Sequence, residues 1–321
     1  MIRLAWRLAR PNLVSSAVLL AVVVGYAVLT NRAMTAQLRD SGLDACIASG
    51  GDCDLLAQAF SDRFNLIINS FGLLNLAPML LGVFWGGPLV ARELEQGTHR
   101  LVWTQSHGRG RWLAARLGLY LAGAVAVTAI MTEVMTWWFK PLERVQVEGD
   151  AAFGRLNSDV FDFRGIVPLA YTVFAFAVGV AAGALFKRTI PAMVATLAIY
   201  LPVKIGVLLL RERFQPPLTE TYPFGTTSPR AGKGDWRIAH EVIDKAGTVT
   251  NRVSVPAVCR TLPDEAAMRA CVTEQGGYRF VDTYQPVGRF WTFQLIESGI
   301  FVGLSAAVLA LAVWWVVRKL A

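Results

Sequence analysis

The chain has 321 residues, of which 54% are apolar and only 17% charged, against about 25% charged in soluble domains. With a mean hydropathy of +0.45, apolar runs take up most of the length, which excludes a soluble two-domain protein. The formal charge of +8 raises nucleic-acid binding as a reading, which the placement of the charges then removes.

Residues 1–12 carry Arg3, Arg7 and Arg10 on one helical face and Leu4 and Leu8 on another. This predicts a short amphipathic helix at the membrane surface, with Pro11 limiting its extension. A helix needs roughly 20 apolar residues to cross a hydrocarbon core of about 30 Å. Six stretches qualify: 13–30, 66–89, 113–139, 166–186, 190–210 and 291–317. The first exceeds the h-region of a signal peptide and no convincing small-x-small cleavage site follows it, so it reads as a retained span. The fold class expected is an all-α polytopic membrane protein with six transmembrane helices.

Lys and Arg set the orientation. With the N-terminus inside, the inner pieces 1–12, 90–112, 187–189 and 318–321, together with Arg116, hold twelve basic and two acidic residues. The outer loops hold eighteen and nineteen. The positive charge is then an orientation signal for a cell-membrane protein with both termini cytoplasmic, and nucleic acid is not needed as a partner. The cysteines fall as two close pairs in outer loops, Cys46 with Cys53 and Cys259 with Cys271, where disulfides persist. Four free thiols are the alternative.

Glu133, Lys204 and Glu297 lie within spans, each about seven residues, or roughly 10 Å, from the outer end. A lone charge deep in lipid costs at least about 2.5–3.5 kcal/mol, so Lys204 is expected to pair with one or both glutamates. Such a set either fixes helix packing or forms an outer gate. Asn65, Asn69 and Gly72 share a face of the second span and suit a path or a subunit contact. Gly82-x-x-x-Gly86, Gly179-x-x-x-Gly183 and Gly299-x-x-x-Gly303 allow close helix approach. Trp137, Trp138, Trp291, Trp314 and Trp315 read as interfacial anchors.

Residues 211–290 suffice for a small mixed α/β extracytoplasmic module between helices five and six. Asp235 is expected to cap a helix with Trp236, Ala239, Val242 and Ile243 on its apolar face and Gly247 at its end. Pro263, Asp264 and Glu265 open a second helix, which Gly276 and Gly277 stop. Residues 248–258 and 278–284 alternate as strands do.

Enzymatic motifs fail one by one. The glycines between Gly225 and Gly234 have the wrong spacing for a phosphate loop, and no Ser or Thr follows Lys233. After His240-Glu241, Asp244 stands where a metalloprotease needs its second histidine. There is no Ser-centred nucleophile elbow, and three scattered histidines form no metal cluster. The chain is expected to hold no catalytic site, metal or cofactor of its own.

The inner loop from Ala91 to Trp112 packs charge ahead of Leu101, Val102 and Trp103, which suits a short helix lying at the membrane surface. Gly97-Thr98 would break or cap the helix emerging from the second span. A solvated basic loop is the alternative. Glu95-x-Gly97-Thr98, followed by Leu101 and Thr104, resembles the inner-loop signature of ABC-2 type transporter permeases. The run 92–112 is similar to an actinobacterial subgroup of these exporter membrane subunits. So is Tyr284-x-Pro286-x-x-Arg289-Phe290-Trp291-x-Phe293-Gln294-x-Ile296-Glu297. Gln105-Ser106 departs from the broader pattern, in which many members carry proline.

The resemblance implies that this loop docks on a separate cytoplasmic ATPase subunit, with Arg92, Glu93, Glu95, Gly97, Thr98 and Trp103 carrying the coupling. The N-terminal helix would join that contact. The chain would then be the permease subunit of an ATP-driven exporter that moves an amphipathic substrate (a lipid, peptide or antibiotic-like molecule) outward. Two ATPase subunits holding ATP and Mg, a second permease copy or a sister permease, and membrane lipid are the partners implied. Two rivals stand beside it. One is an ion-coupled transporter relaying protons or ions through Glu133, Lys204 and Glu297; the other is a scaffold or sensor whose outer module binds a ligand.

Overall fold

The computed structural model describes residues 2–49, 53–96, 109–145, 154–226, 228–230, 234–250, 255–260 and 264–319. Among them, six helices are long and apolar enough to cross a membrane. These are Leu13–Asp40, Asp54–Glu95, Ala114–Arg144, Val167–Phe186, Thr189–Arg213 and Val287–Trp315, called spans one to six below. The protein is thus a mostly helical membrane fold with a small sheet after span five, as expected from its apolar runs.

The helices overrun the expected ones on the side away from the inner loop. Most of 31–65, expected as loop, is helical: Ile2–Asp40, then Leu43–Ser49, then the start of Asp54–Gly72. Met34, Leu38, Leu43, Ala57, Phe60 and Phe64 are all buried in one cluster there. They recur at helical intervals among charged neighbours, so an amphipathic bundle continues where mean hydropathy has already fallen. The first helix also runs through Pro11, contrary to expectation. A proline inside a helix forfeits one backbone bond, and the residues on both sides carry the ladder past it.

Span two changes pitch along its length. The α-helix Asp54–Gly72 passes into a 3-10 segment, Leu73–Leu76, then Ala77–Leu81, a π segment Gly82–Gly86, and finally Gly87–Glu95. Pro78 and Pro88 lack an N–H and press on the carbonyl four residues back. Those carbonyls belong to Leu74 and Phe84, which lie inside the 3-10 and π segments. The pitch changes where an ideal helix would clash.

Span four is the buried axis, packed against spans two, three, five and six. It meets span two by interlocked glycines. A Cβ on Gly179 would lie 2.4 Å from the Gly82 carbonyl oxygen, and one on Gly183 would lie 2.6 Å from that of Gly87. Two of the expected small-residue motifs therefore face each other and bring the backbones together. The third does not take part, since no described atom lies within 4 Å of a Cβ built on Gly299 or Gly303. Trp138 is also no interfacial anchor. It is fully buried, stacks at 4.0 Å on Phe71, and donates to Thr30 Oγ1 at 2.9 Å. Trp137, Trp291 and Trp314 are exposed as expected.

The module after span five contains the strands β1 Leu218–Pro223, β2 Trp236–Ile243 and β3 Arg279–Gln285. Among the described residues they form an antiparallel sheet in the order β1–β3–β2, accompanied by the helix Glu265–Gly276. β3 lies where a strand is expected. The stretch after Asp235, expected as a helix, is β2. Its register slips between Arg237 and Ala239; that bulge breaks the period of two and leaves the large apolar residues at helix-like intervals. Asp235 accepts instead from the Val287 N–H at 2.8 Å, ahead of span six. Of the expected strand 248–258, Val249 pairs with Ile243 and Ala257–Cys259 is a 3-10 turn, while 251–254 lie outside the described residues. Disulfides join Cys46 to Cys53 and Cys259 to Cys271. The first ties the helix Leu43–Ser49 to the start of span two; the second ties the 3-10 turn to the module helix.

Candidate functional site

The residues that carry charge into the bundle converge at the ends of spans four, five and six. Ser158–Phe161 forms one helical turn, and Gly165, at φ +68°, then swings the chain into span four. This places Asp162 beside the start of that span. Arg211, at the end of span five, donates to Asp162 Oδ1 at 2.5 Å and to both oxygens of Glu297 at 2.8 and 2.9 Å. Tyr171 Oη donates to Glu297 Oε1 and lies 3.1 Å from Asp162 Oδ1. Lys204 Nζ pairs with Asp162 Oδ2 at 3.2 Å, donates to Asn75 Oδ1 of span two at 2.8 Å, and sits over the Tyr171 ring. Arg211 and Glu297 are 0% exposed and Asp162 is 5% exposed. Two cations thus face two carboxylates, and the buried set is neutral overall.

This arrangement corrects the expected pairing. Lys204 and Glu297 belong to one cluster but do not touch as partners: Lys204 is held by Asp162, and Glu297 by Arg211. Glu133 is not part of it. It lies on the exposed face of span three, with no hydrogen-bond or ion-pair partner among the described residues. Asp162, Tyr171 and Arg211 are the members that reading the spans one at a time passes over, since Asp162 and Arg211 sit just beyond the expected ends. Both flank the same end of neighbouring spans, which was the available signal. Asn65 and Asn69 are exposed and hydrogen-bonded to each other, and a Cβ on Gly72 would meet nothing within 4 Å.

At the opposite end of the bundle, span two finishes at Glu95. Its carboxylate Oε2 accepts from the backbone N–H of Thr189 at 3.1 Å and from Thr189 Oγ1 at 2.8 Å. Thr189 opens the helix of span five, whose own N-cap residue, Arg188, gives no side-chain cap. The first N–H groups of a helix have no internal partner, and here span two supplies one. Glu93 pairs with Arg116 of span three, while Arg92 is exposed. Gly97, Thr98 and Trp103, with the surface helix expected around them, lie outside the described residues.

The module after span five has its own polar centre at Asp282 on β3. Its Oδ1 meets His240 Nδ1 at 2.6 Å, and its Oδ2 accepts from Ser228 at 2.7 Å and Tyr222 at 3.1 Å. Burial pushes the Asp282 carboxyl up, but the hydrogen bonds from His240, Ser228 and Tyr222 outweigh burial and hold it below its ordinary value. Ser228 is bonded to the aspartate and not to the histidine, so the three do not form the relay of a serine hydrolase.

No curated protein and no solved structure matches this chain. A family model described as ABC-2 membrane transporter related matches residues 17–211, which takes in spans two to four whole, nearly all of spans one and five, and the loop after span two. The match covers more than half of the chain, and the protein belongs to that family.

Proposed function

We propose that this protein is the membrane-spanning permease subunit of an ATP-driven exporter. Family membership makes it a membrane transport component of the ABC type; the finer reading is ours. A separate cytoplasmic ATPase binds and hydrolyses ATP with Mg and grips the inner loop 91–112. Two such subunits serve a pair of permeases, this chain with a second copy or a sister. The pair sits in a bacterial cell membrane with both termini inside, and the cargo is an amphipathic lipid, peptide or antibiotic-like molecule moved outward.

The observation that supports this best is the extent of the match, which includes the Glu95-x-Gly97-Thr98 loop along with most of the first five spans. The charge bias of the inner pieces supports the orientation. Affinity purification of the full chain from its native membrane tests the reading. An ABC ATPase subunit is expected to co-purify, with ATP hydrolysis by the reconstituted complex in liposomes. Purification without an ATPase, together with activity driven by an ion gradient and indifferent to ATP, would replace it with an ion-coupled transporter.

A further inference from the structure

We propose that Glu95 is a positioning residue that joins the inner loop to span five, so that a stroke applied to the loop is delivered to the hairpin of spans four and five. The inference rests on the permease reading above. Glu95 is the last residue of the helix Gly87–Glu95, followed by Gln96 and the loop, and force on the loop reaches it first. Its carboxylate holds both the N–H and the hydroxyl of Thr189, two donors fixed to the first turn of another span. Glu95 is exposed, so solvent weakens each bond, and it is the pairing of both donors on one carboxylate oxygen that fixes the geometry.

The joint has a stiff seat. Ala91 of span two, Ala182 of span four and Ala192 of span five are buried together within one turn or so of it. Gly183 admits the Gly87 backbone so closely that no Cβ fits between them. Lys187, at φ +55°, ends the helix of span four, and Arg188, extended, begins that of span five. With only two residues between them, Thr189 cannot shift without carrying the end of span four. Glu93, bound to Arg116, ties the same end of span two to span three. The end of span two is therefore fastened to spans three and five, and Glu95 is the fastening toward span five.

The test uses the full chain in complex with its co-purified ATPase subunit in liposomes. All four cysteines are in disulfides, so one introduced cysteine takes a spin label alone. Two sites suit it, exposed Ile205 on span five and exposed Leu73 on span two. Trapping with ATP and vanadate is expected to shift both labels in the parent protein. In Glu95→Ala and in Thr189→Val the ATPase should still co-purify and the span-two label still respond. The shifted fraction at span five should fall about threefold, the smaller factor that a solvent-exposed hydrogen bond carries. Thr189→Ser, which keeps the hydroxyl, should behave as the parent. If Glu95→Ala does not fold, the two Thr189 variants decide alone. An undiminished span-five response in the variants overturns the joint. So does loss of the ATPase from Glu95→Ala with Thr189→Val unaffected, which makes Glu95 a direct ATPase contact and leaves the permease reading standing. Failure of any ATPase to join the parent chain sinks that reading instead.

Discussion

Asp162 and Asp282 are both buried carboxylates, 5% and 2% exposed, and each gathers a ring of donors of a different kind. Asp162, at the end of the membrane bundle, is held by Arg211 and Lys204, and Glu297 joins to balance the second cation. Asp282, on the central strand of the module's sheet, is held by one histidine and two hydroxyls. At the buried end of the bundle, charge is met by charge, because desolvating an ion costs several kcal/mol that a well-placed opposite charge offsets. On the sheet, a partly exposed histidine and two hydroxyls share the one carboxylate, with no second carboxylate among the described residues to balance.

The largest expected effect is therefore at Arg211. Arg211→Met leaves Asp162 and Glu297 buried with Lys204 as their remaining cation, and breaking a buried pair this way costs about 3–5 kcal/mol. Thermal unfolding in detergent should show it, and an unchanged midpoint would mean that the cluster is hydrated and that the contrast with Asp282 is false. Lys204→Met should cost less, about 2 kcal/mol, since Arg211 still serves Asp162. Lost assembly in that variant assigns the cluster to packing, whereas lost transport with assembly intact assigns it to an outer gate. Asp282→Asn should cost about 1–2 kcal/mol and loosen only the sheet, read as faster hydrogen exchange in β3 with the spans unaffected.

Acid should separate the two centres more finely. The folded Asp282 carboxyl lies below its ordinary value, which is about 3.9 unfolded. Its stabilising contribution is complete above that value and is lost as the pH falls through the lower, folded one. Protection of the β3 amides, corrected for intrinsic exchange, should drop below about pH 4 in the parent and stay flat in Asp282→Asn. The smallest destabilisation is expected at Glu133, which touches neither centre. Glu133→Gln removes a lone charge from a span and should cause no loss of stability, and a loss would reveal a partner for the exposed face of span three.

The spans were legible because a run of some 20 apolar residues has few other meanings. The glycine motifs at Gly82 and Gly179 were legible for the same kind of reason, since a backbone contact demands the missing side chain. The cluster was only half legible. Lys204 and Glu297 announce themselves by sitting among apolar neighbours, but Asp162 and Arg211 look like ordinary loop charges until the chain folds. β2 was misread because its bulge removed the one periodicity that separates strand from helix. The Glu95–Thr189 contact joins residues 94 apart in the chain, and no local pattern in either segment encodes the other.

The length of span two has a mechanical consequence. Asp54–Glu95 comprises 42 residues, which at 1.5 Å each is about 63 Å, roughly twice the apolar thickness of a bilayer. Moving as one piece through about five degrees about its Glu95 end, it would sweep its far tip through about 5 Å. The Cys46–Cys53 link would pass that sweep straight to the neighbouring helix, so a small nudge at one end is geared up into a visible rearrangement at the other.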